Sequence, residues 1–229
     1  MKIIGLGDSL MQDNFAETYP QTGWFQMLKL FVADDVTLKN FAKNGCSTKS
    51  FIDQKRFKKA LEATEEGDLV LISFGHNDEK QEDPLRYCSA HSKYVDNLKF
   101  MVNSFLKKNA TPILLTSVPR CKFDSEGKLM FTHGDYPKAM IQASKDTRVN
   151  VIDLNGLMRE YLKKCGPVKS KENYMILPRG SYSNFPNSTN DTSHLNYNGA
   201  FTVANIVVNE LVSLIPDSLS LCFRHNQSR

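Results

Sequence analysis

Short apolar runs rich in Val, Ile and Leu recur at residues 2–6, 36–41, 68–74, 111–118 and 150–154, and stretches of helical period fill the intervals. Runs of this length bounded by turn residues read as strands buried on both faces. Between them, Trp24, Met27, Leu28 and Phe31 fall on one helical face, and residues 57–63 repeat the pattern more briefly. The clearest helix spans residues 94–106, with Val95, Leu98, Met101, Val102 and Phe105 on one side and Lys99, Asn103 and Lys107 on the other. Residues 136–143, 157–162 and 199–215 supply the remaining helices. Strands alternating with helical crossovers predict an α/β fold, an open and mostly parallel sheet covered on each side.

Two segments interrupt the alternation. Residues 120–134 contain Ser125-Glu126-Gly127, a turn signal, and read as a long loop or small hairpin. Residues 166–190, rich in Pro, Ser, Asn and Gly, read as a longer loop of the kind that is usually functional or mobile. No linker divides the chain, so a single domain is expected over 1–215, followed by a tail at 216–229 that the pattern leaves unexplained.

Composition narrows the class. With 41% hydrophobic and 24% charged residues the chain reads as globular. A net charge of +4 comes from dispersed lysines without a basic tract, which gives no reason to expect nucleic acid as a partner. Cys46, Cys88, Cys121, Cys165 and Cys222 are odd in number and match no zinc spacing, so free thiols are expected. No apolar run reaches the ~20 residues of a membrane span. The sequence opens directly on its first strand, and a cytoplasmic location is the expectation.

Candidate chemistry gathers where the strands end. Gly7-Asp8-Ser9-Leu10 follows the first run, Asn40-Phe41-Ala42-Lys43-Asn44-Gly45 the second, and Phe74-Gly75-His76-Asn77-Asp78 the third. Parallel sheets hold ligands at this edge. Acyl transfer by a serine needs a nucleophile, a base, a group that holds the base, and donors for the oxyanion. Ser9 is the candidate nucleophile, His194 the base and Asp191 its orienting partner, three residues away in a loop or first helical turn. The backbone N–H groups of Ser9 and Gly45 and the side-chain amide of Asn77 are the candidate oxyanion donors. Each residue also has a bland reading: Ser9 as a helix cap, Asp191 or Ser193 as the cap of the last helix, Asn77 as the start of an Asx turn. Asp8 and Asp78 read as structural anchors of their turns. His76 and Cys46 stand as candidate substrate contacts, with turn stabilisation and burial as their alternatives.

The ordered set resembles the SGNH (GDSL) hydrolase family. Gly23-Trp24, Ser47 to Phe51, Gly67-Asp68, Tyr136 with Ala139, and Ile152-Asp153-Leu154 extend the likeness to its rhamnogalacturonan acetylesterase-like branch. The resemblance implies a flavodoxin-like three-layer α/β/α sandwich, a five-stranded parallel sheet of order 2-1-3-4-5, removal of short acyl groups from sugars, and no metal or organic cofactor. Cys46 and Lys49 stand where that branch usually carries arginines, so a bidentate grip on a carboxylate is not implied. The expected activity is that of a serine esterase acting on a small-molecule or oligosaccharide ester, O-acetyl above all. A lysophospholipase or thioesterase would use the same groups, and a non-catalytic carbohydrate-binding protein would keep the fold without needing them intact.

Overall fold

The computed structural model describes residues 1–215, 219, 222 and 223. Its centre is the expected parallel sheet, in which β1 (Lys2–Gly7), β2 (Thr37–Asn40), β3 (Leu69–Ser73), β4 (Thr111–Leu115) and β5 (Val151–Ile152) lie in the order β2-β1-β3-β4-β5. Side chains alternate across the sheet, as the two-residue period of a strand requires. Ile3, Leu69, Leu71, Ile113 and Ile152 enter one core with Trp24, Leu28, Met158, Val203 and Val207. Ile4, Leu6, Val70, Ile72 and Leu114 enter a second core with Phe57, Leu98, Phe105 and Met140.

The first core is covered by α1 (Trp24–Met27), α6 (Leu154–Lys169) and α7 (Tyr197–Leu214), the second by α2 (Thr48–Asp53), α3 (Arg56–Ala63), α4 (Val95–Leu106) and α5 (Tyr136–Thr147). Helix α2 has no counterpart in the sequence reading. It is short, and its start is held by reciprocal bonds between Ser47 and Ser50. Among the described residues no helix is long and apolar enough to cross a membrane.

Both long loops are more ordered than their composition suggests. Residues 120–134 form a hairpin closed by an antiparallel bridge between Phe123 and Leu129. Helical structure continues past residue 166, across a kink where Gly166 takes φ 73°, and a 3-10 turn at Ser170–Asn173 leads into β6 (Tyr174–Met175). β6 pairs antiparallel with β7 (Asp191–Leu195), so the irregular stretch is confined to 176–190. Of the tail at 216–229, Phe223 is buried and bridges Val32, and Cys222 O accepts from Ala33 N at 2.8 Å. The rest of the tail, apart from Leu219, lies outside the described residues.

Candidate active site

Ser9 follows β1, Gly45 follows β2 and Asn77 follows β3, and these three strands are neighbours. All three residues therefore leave the same carboxyl edge of the sheet. Asp191 and His194 arrive from the other end of the chain on β7. Two backbone bonds dock that strand: Cys121 N donates to Thr192 O at 2.8 Å, and Thr22 N to Leu195 O at 3.0 Å.

Ser9 sits on a turn in which Met11 and Gln12 N–H donate to Asp8 O at 3.2 and 3.0 Å. No helix follows this turn, so there is nothing for Ser9 to cap. Its Oγ lies 2.9 Å from His194 Nε2, and His194 Nδ1 lies 2.6 Å from Asp191 Oδ2. An ionised carboxylate only accepts, which places the ring proton on Nδ1 and leaves Nε2 to accept from the Ser9 hydroxyl. Asp191 is itself fixed by the N–H groups of Ser193 and His194, at 2.8 and 3.0 Å from Oδ1. The expected loop or helical turn at this pair is in fact a strand, and the cap of α7 is Asn196, whose Oδ1 accepts from Gly199 N.

Electrostatics follow from these contacts. The Asp191 hydrogen bond raises the His194 pKa, and burial only partly opposes it. Burial acts to raise the Asp191 carboxyl, but hydrogen bonds from His194 and Ser193 outweigh it and bring the value down to about 2. The pair thus favours an anionic carboxylate beside a ring ready to take a proton.

Gly45 adopts φ +77°, the left-handed region that suits glycine, and a side chain there would come within 3.8 Å of Arg86 Nη1. Asn77 is buried; its Nδ2 donates to Cys46 O at 3.0 Å and its Oδ1 accepts from Arg86 Nη1 at 3.3 Å. That pattern is not an Asx turn. Arg86 is held in turn by Asp83, whose Oδ2 accepts from Nε at 2.5 Å. Sequence reasoning missed Arg86, because no spacing or motif marks a loop residue whose partners are set by the path after β3.

The remaining candidates are buried. Cys46 turns its thiol toward Gln54 Oε1 at 3.7 Å and is 2% exposed, so its carbonyl, not its sulfur, meets Asn77. His76 stacks edge-on against His133, with ring centres 4.2 Å apart, and burial holds its pKa well below the ordinary value. Asp8 Oδ1 accepts from Leu10 N at 3.0 Å, and burial lifts its pKa to about 6. Asp78 anchors a neighbouring loop by accepting from Thr48 N at 2.9 Å, and burial raises it to about 7. A network absent from the sequence reading braces the same region. Glu79 accepts from Arg120, Arg120 Nε donates to Ser193 Oγ at 3.2 Å, and Glu79 Oε2 meets His133 Nδ1 at 3.0 Å. It ties the loop after β3 to the strand that carries His194.

The model of the GDSL-like lipase/acylhydrolase family matches residues 6–166. The chain belongs to this family. Among curated relatives, it is 33% identical to a rhamnogalacturonan acetylesterase, RhgT, of Bacillus subtilis (strain 168), over 93% of this chain and 90% of that one. Among solved structures, a Bacillus subtilis protein matches with a TM-score of 0.76 at 24% identity over 92% of this chain, which spans 55% of that longer one. An acetyl xylan esterase from Geobacillus stearothermophilus matches with a TM-score of 0.66 at 15% identity, covering 94% of this chain and 96% of that chain. Both likenesses show the same fold. The family match ends at residue 166, so the β7 pair of this GDSL-like member rests on its own geometry.

Proposed function

We propose that this carboxylic ester hydrolase removes acetyl groups from carbohydrate esters through an acyl-enzyme on Ser9. The observation that carries the reading is the unbroken line Ser9 Oγ, His194 Nε2, His194 Nδ1, Asp191 Oδ2, with contacts of 2.9 and 2.6 Å. The acetyl preference is supported by the 33% identity to a rhamnogalacturonan acetylesterase.

In the first half-reaction Ser9 Oγ attacks the ester carbonyl while His194 Nε2 takes its proton. Asp191 stabilises the imidazolium that results. The N–H groups of Ser9 and Gly45 and the Asn77 amide receive the oxyanion, each such donor contributing about 10²–10³ in turnover. Collapse returns the proton from His194 to the leaving sugar oxygen and leaves acetyl on Ser9. Water, deprotonated by His194, then attacks the acyl-enzyme, and acetate leaves as the proton returns to Ser9. The Arg86 contact to Asn77 Oδ1 sets which face of the amide presents its N–H groups.

Initial rates on p-nitrophenyl esters from acetate to palmitate, with Ser9→Ala in parallel, test this reading. Best cleavage of acetate, abolished in the variant, is the expected result. A long-chain optimum lost with Ser9→Ala would move the assignment to a lipid or thioester hydrolase, and equal rates for variant and wild type would discard Ser9.

A further inference from the structure

A cleft of about 560 Å³ is lined by residues of the segment 14–27, which follows Ser9 in the chain, by Tyr197, which follows His194, and by Ser183 and Asn184. One wall begins at Asn14, five residues beyond Ser9, and carries Phe15 and Tyr19; the other is Tyr197, three residues beyond His194. Gln21 and Thr22 join the walls. Thr22 N donates to Leu195 O at 3.0 Å, and Gln21 bridges Asn196, so the cleft continues directly from the strand that carries the base.

Three aromatic rings stand out here: Phe15 is 74%, Tyr19 48% and Tyr197 45% exposed. Large apolar side chains left in water together mark a binding surface. Between them lie side-chain amides. The Gln21 amide and Asn184 Oδ1 have no hydrogen-bond partner among the described residues, and both are positioned along the cleft. None of the described residues lining it is charged, in a chain with 24% charged residues. Hydrogen bonds and a ring contact also tie its walls together. Asn184 Nδ2 donates to Ala16 O and Tyr19 O at 2.6 and 3.0 Å, and Tyr19 packs edge-on against Tyr182 at 5.7 Å. A preorganised wall avoids the ordering cost of binding.

Rings that offer flat apolar faces, amides that both donate and accept, and no charge are the complement of a neutral sugar, which has apolar C–H faces and a rim of hydroxyls. We propose that this cleft is a second sugar-binding site, taking a neutral glycosyl unit of the oligosaccharide whose acetyl ester lies at Ser9. The proposal rests on the esterase reading above. It adds that the enzyme gains rate from sugar units away from the scissile ester, and that those units carry no carboxylate.

The test compares wild type with Phe15→Ala and Tyr197→Ala on three probes: p-nitrophenyl acetate, p-nitrophenyl octanoate and an acetylated xylotetraose. The rings are exposed, so the variants are expected to fold, and melting temperatures check this. Each variant should lose about 3- to 10-fold in kcat/KM on the acetylated tetraose, the scale of one aromatic contact, and stay within about 2-fold on p-nitrophenyl acetate. Equal loss on the tetraose and the aryl acetate, or no loss on either, overturns the proposal. Loss on the octanoate alone overturns it in favour of an acyl-chain groove. A titration of unacetylated xylotetraose into Ser9→Ala protein, followed by NMR, supplies a readout that needs no turnover. Shifts in the cleft that vanish with Tyr197→Ala support the site, and no saturable binding overturns it. Full activity of Ser9→Ala on the aryl acetate would instead sink the esterase reading, so the two failures are distinguishable.

Discussion

Replacing Arg86 by methionine keeps much of the side chain's apolar length and removes its guanidinium. Asn77 then loses the donor 3.3 Å from its Oδ1 and keeps only the bond from Nδ2 to Cys46 O at 3.0 Å. A hydrogen bond to a charged group contributes ~1.5–3 kcal/mol when dry. Because the Arg86 side chain is 30% exposed, screening by solvent brings this down to ~1–2 kcal/mol. If that energy holds the amide in its productive orientation, kcat falls by about 5- to 30-fold with KM little changed. The ceiling is loss of the whole Asn77 donor, ~10²–10³. The assay is a double-mutant cycle with Asn77→Ala on p-nitrophenyl acetate. Once Asn77 is alanine, Arg86→Met should change the rate by no more than about 2-fold, whereas in the wild type it costs the full factor. Arg86→Lys, which keeps charge but not the planar fork, should fall between. Additive losses would refute the reasoning, as would a single variant with wild-type kcat.

Further outcomes follow from the same contacts. His194 must be neutral to accept a proton, and its pKa is raised by Asp191, so kcat/KM should climb with pH along a limb centred above the ordinary histidine value of 6.5. Asp191→Asn should lower the plateau by about 10⁴ and move that limb to lower pH, which a pH–rate profile reads directly. At Gly23 an added Cβ would lie 1.9 Å from Gln12 O, a backbone atom that cannot yield cheaply. Gly23→Ala should therefore destabilise by about 2–3 kcal/mol, a fall of roughly 5–10 °C in melting temperature. Asp78 titrates at about 7 when folded against 3.8 when free, so the folded chain keeps a proton that the unfolded chain releases. The associated stability is full below about pH 4 and is lost as pH rises through 7. Asp78→Asn should narrow the difference in urea midpoint between pH 5 and pH 8; an unchanged difference would count against it.

The apolar runs located all five central strands because a strand buried on both faces leaves an unbroken hydrophobic signature, and the parallel sheet then placed Ser9, Gly45 and Asn77 at one edge. What stayed hidden depended on non-local pairing. β7 is a strand because Tyr174 and Met175 lie beside it, and nothing within Asp191–Leu195 announces that partner. Helix α2 has only Phe51 and Ile52 as apolar residues, too few to show a period. The contacts of Arg86 and Arg120 arise from how loops fold back on the sheet edge, and charged loop residues carry no pattern that distinguishes a bracing arginine from a solvated one.

The proposed nucleophile and its base, Ser9 and His194, are 185 residues apart in sequence. During synthesis Ser9 is made long before Asp191 and His194, and the growing chain carries an unactivated serine until β7 docks against Thr22 and Cys121. Bringing together groups so far apart in sequence carries a loop-closure cost that local contacts do not. On this reading hydrolytic competence belongs to the closed fold alone, and activity recovered after denaturation reports that β7 has seated against both of its backbone partners.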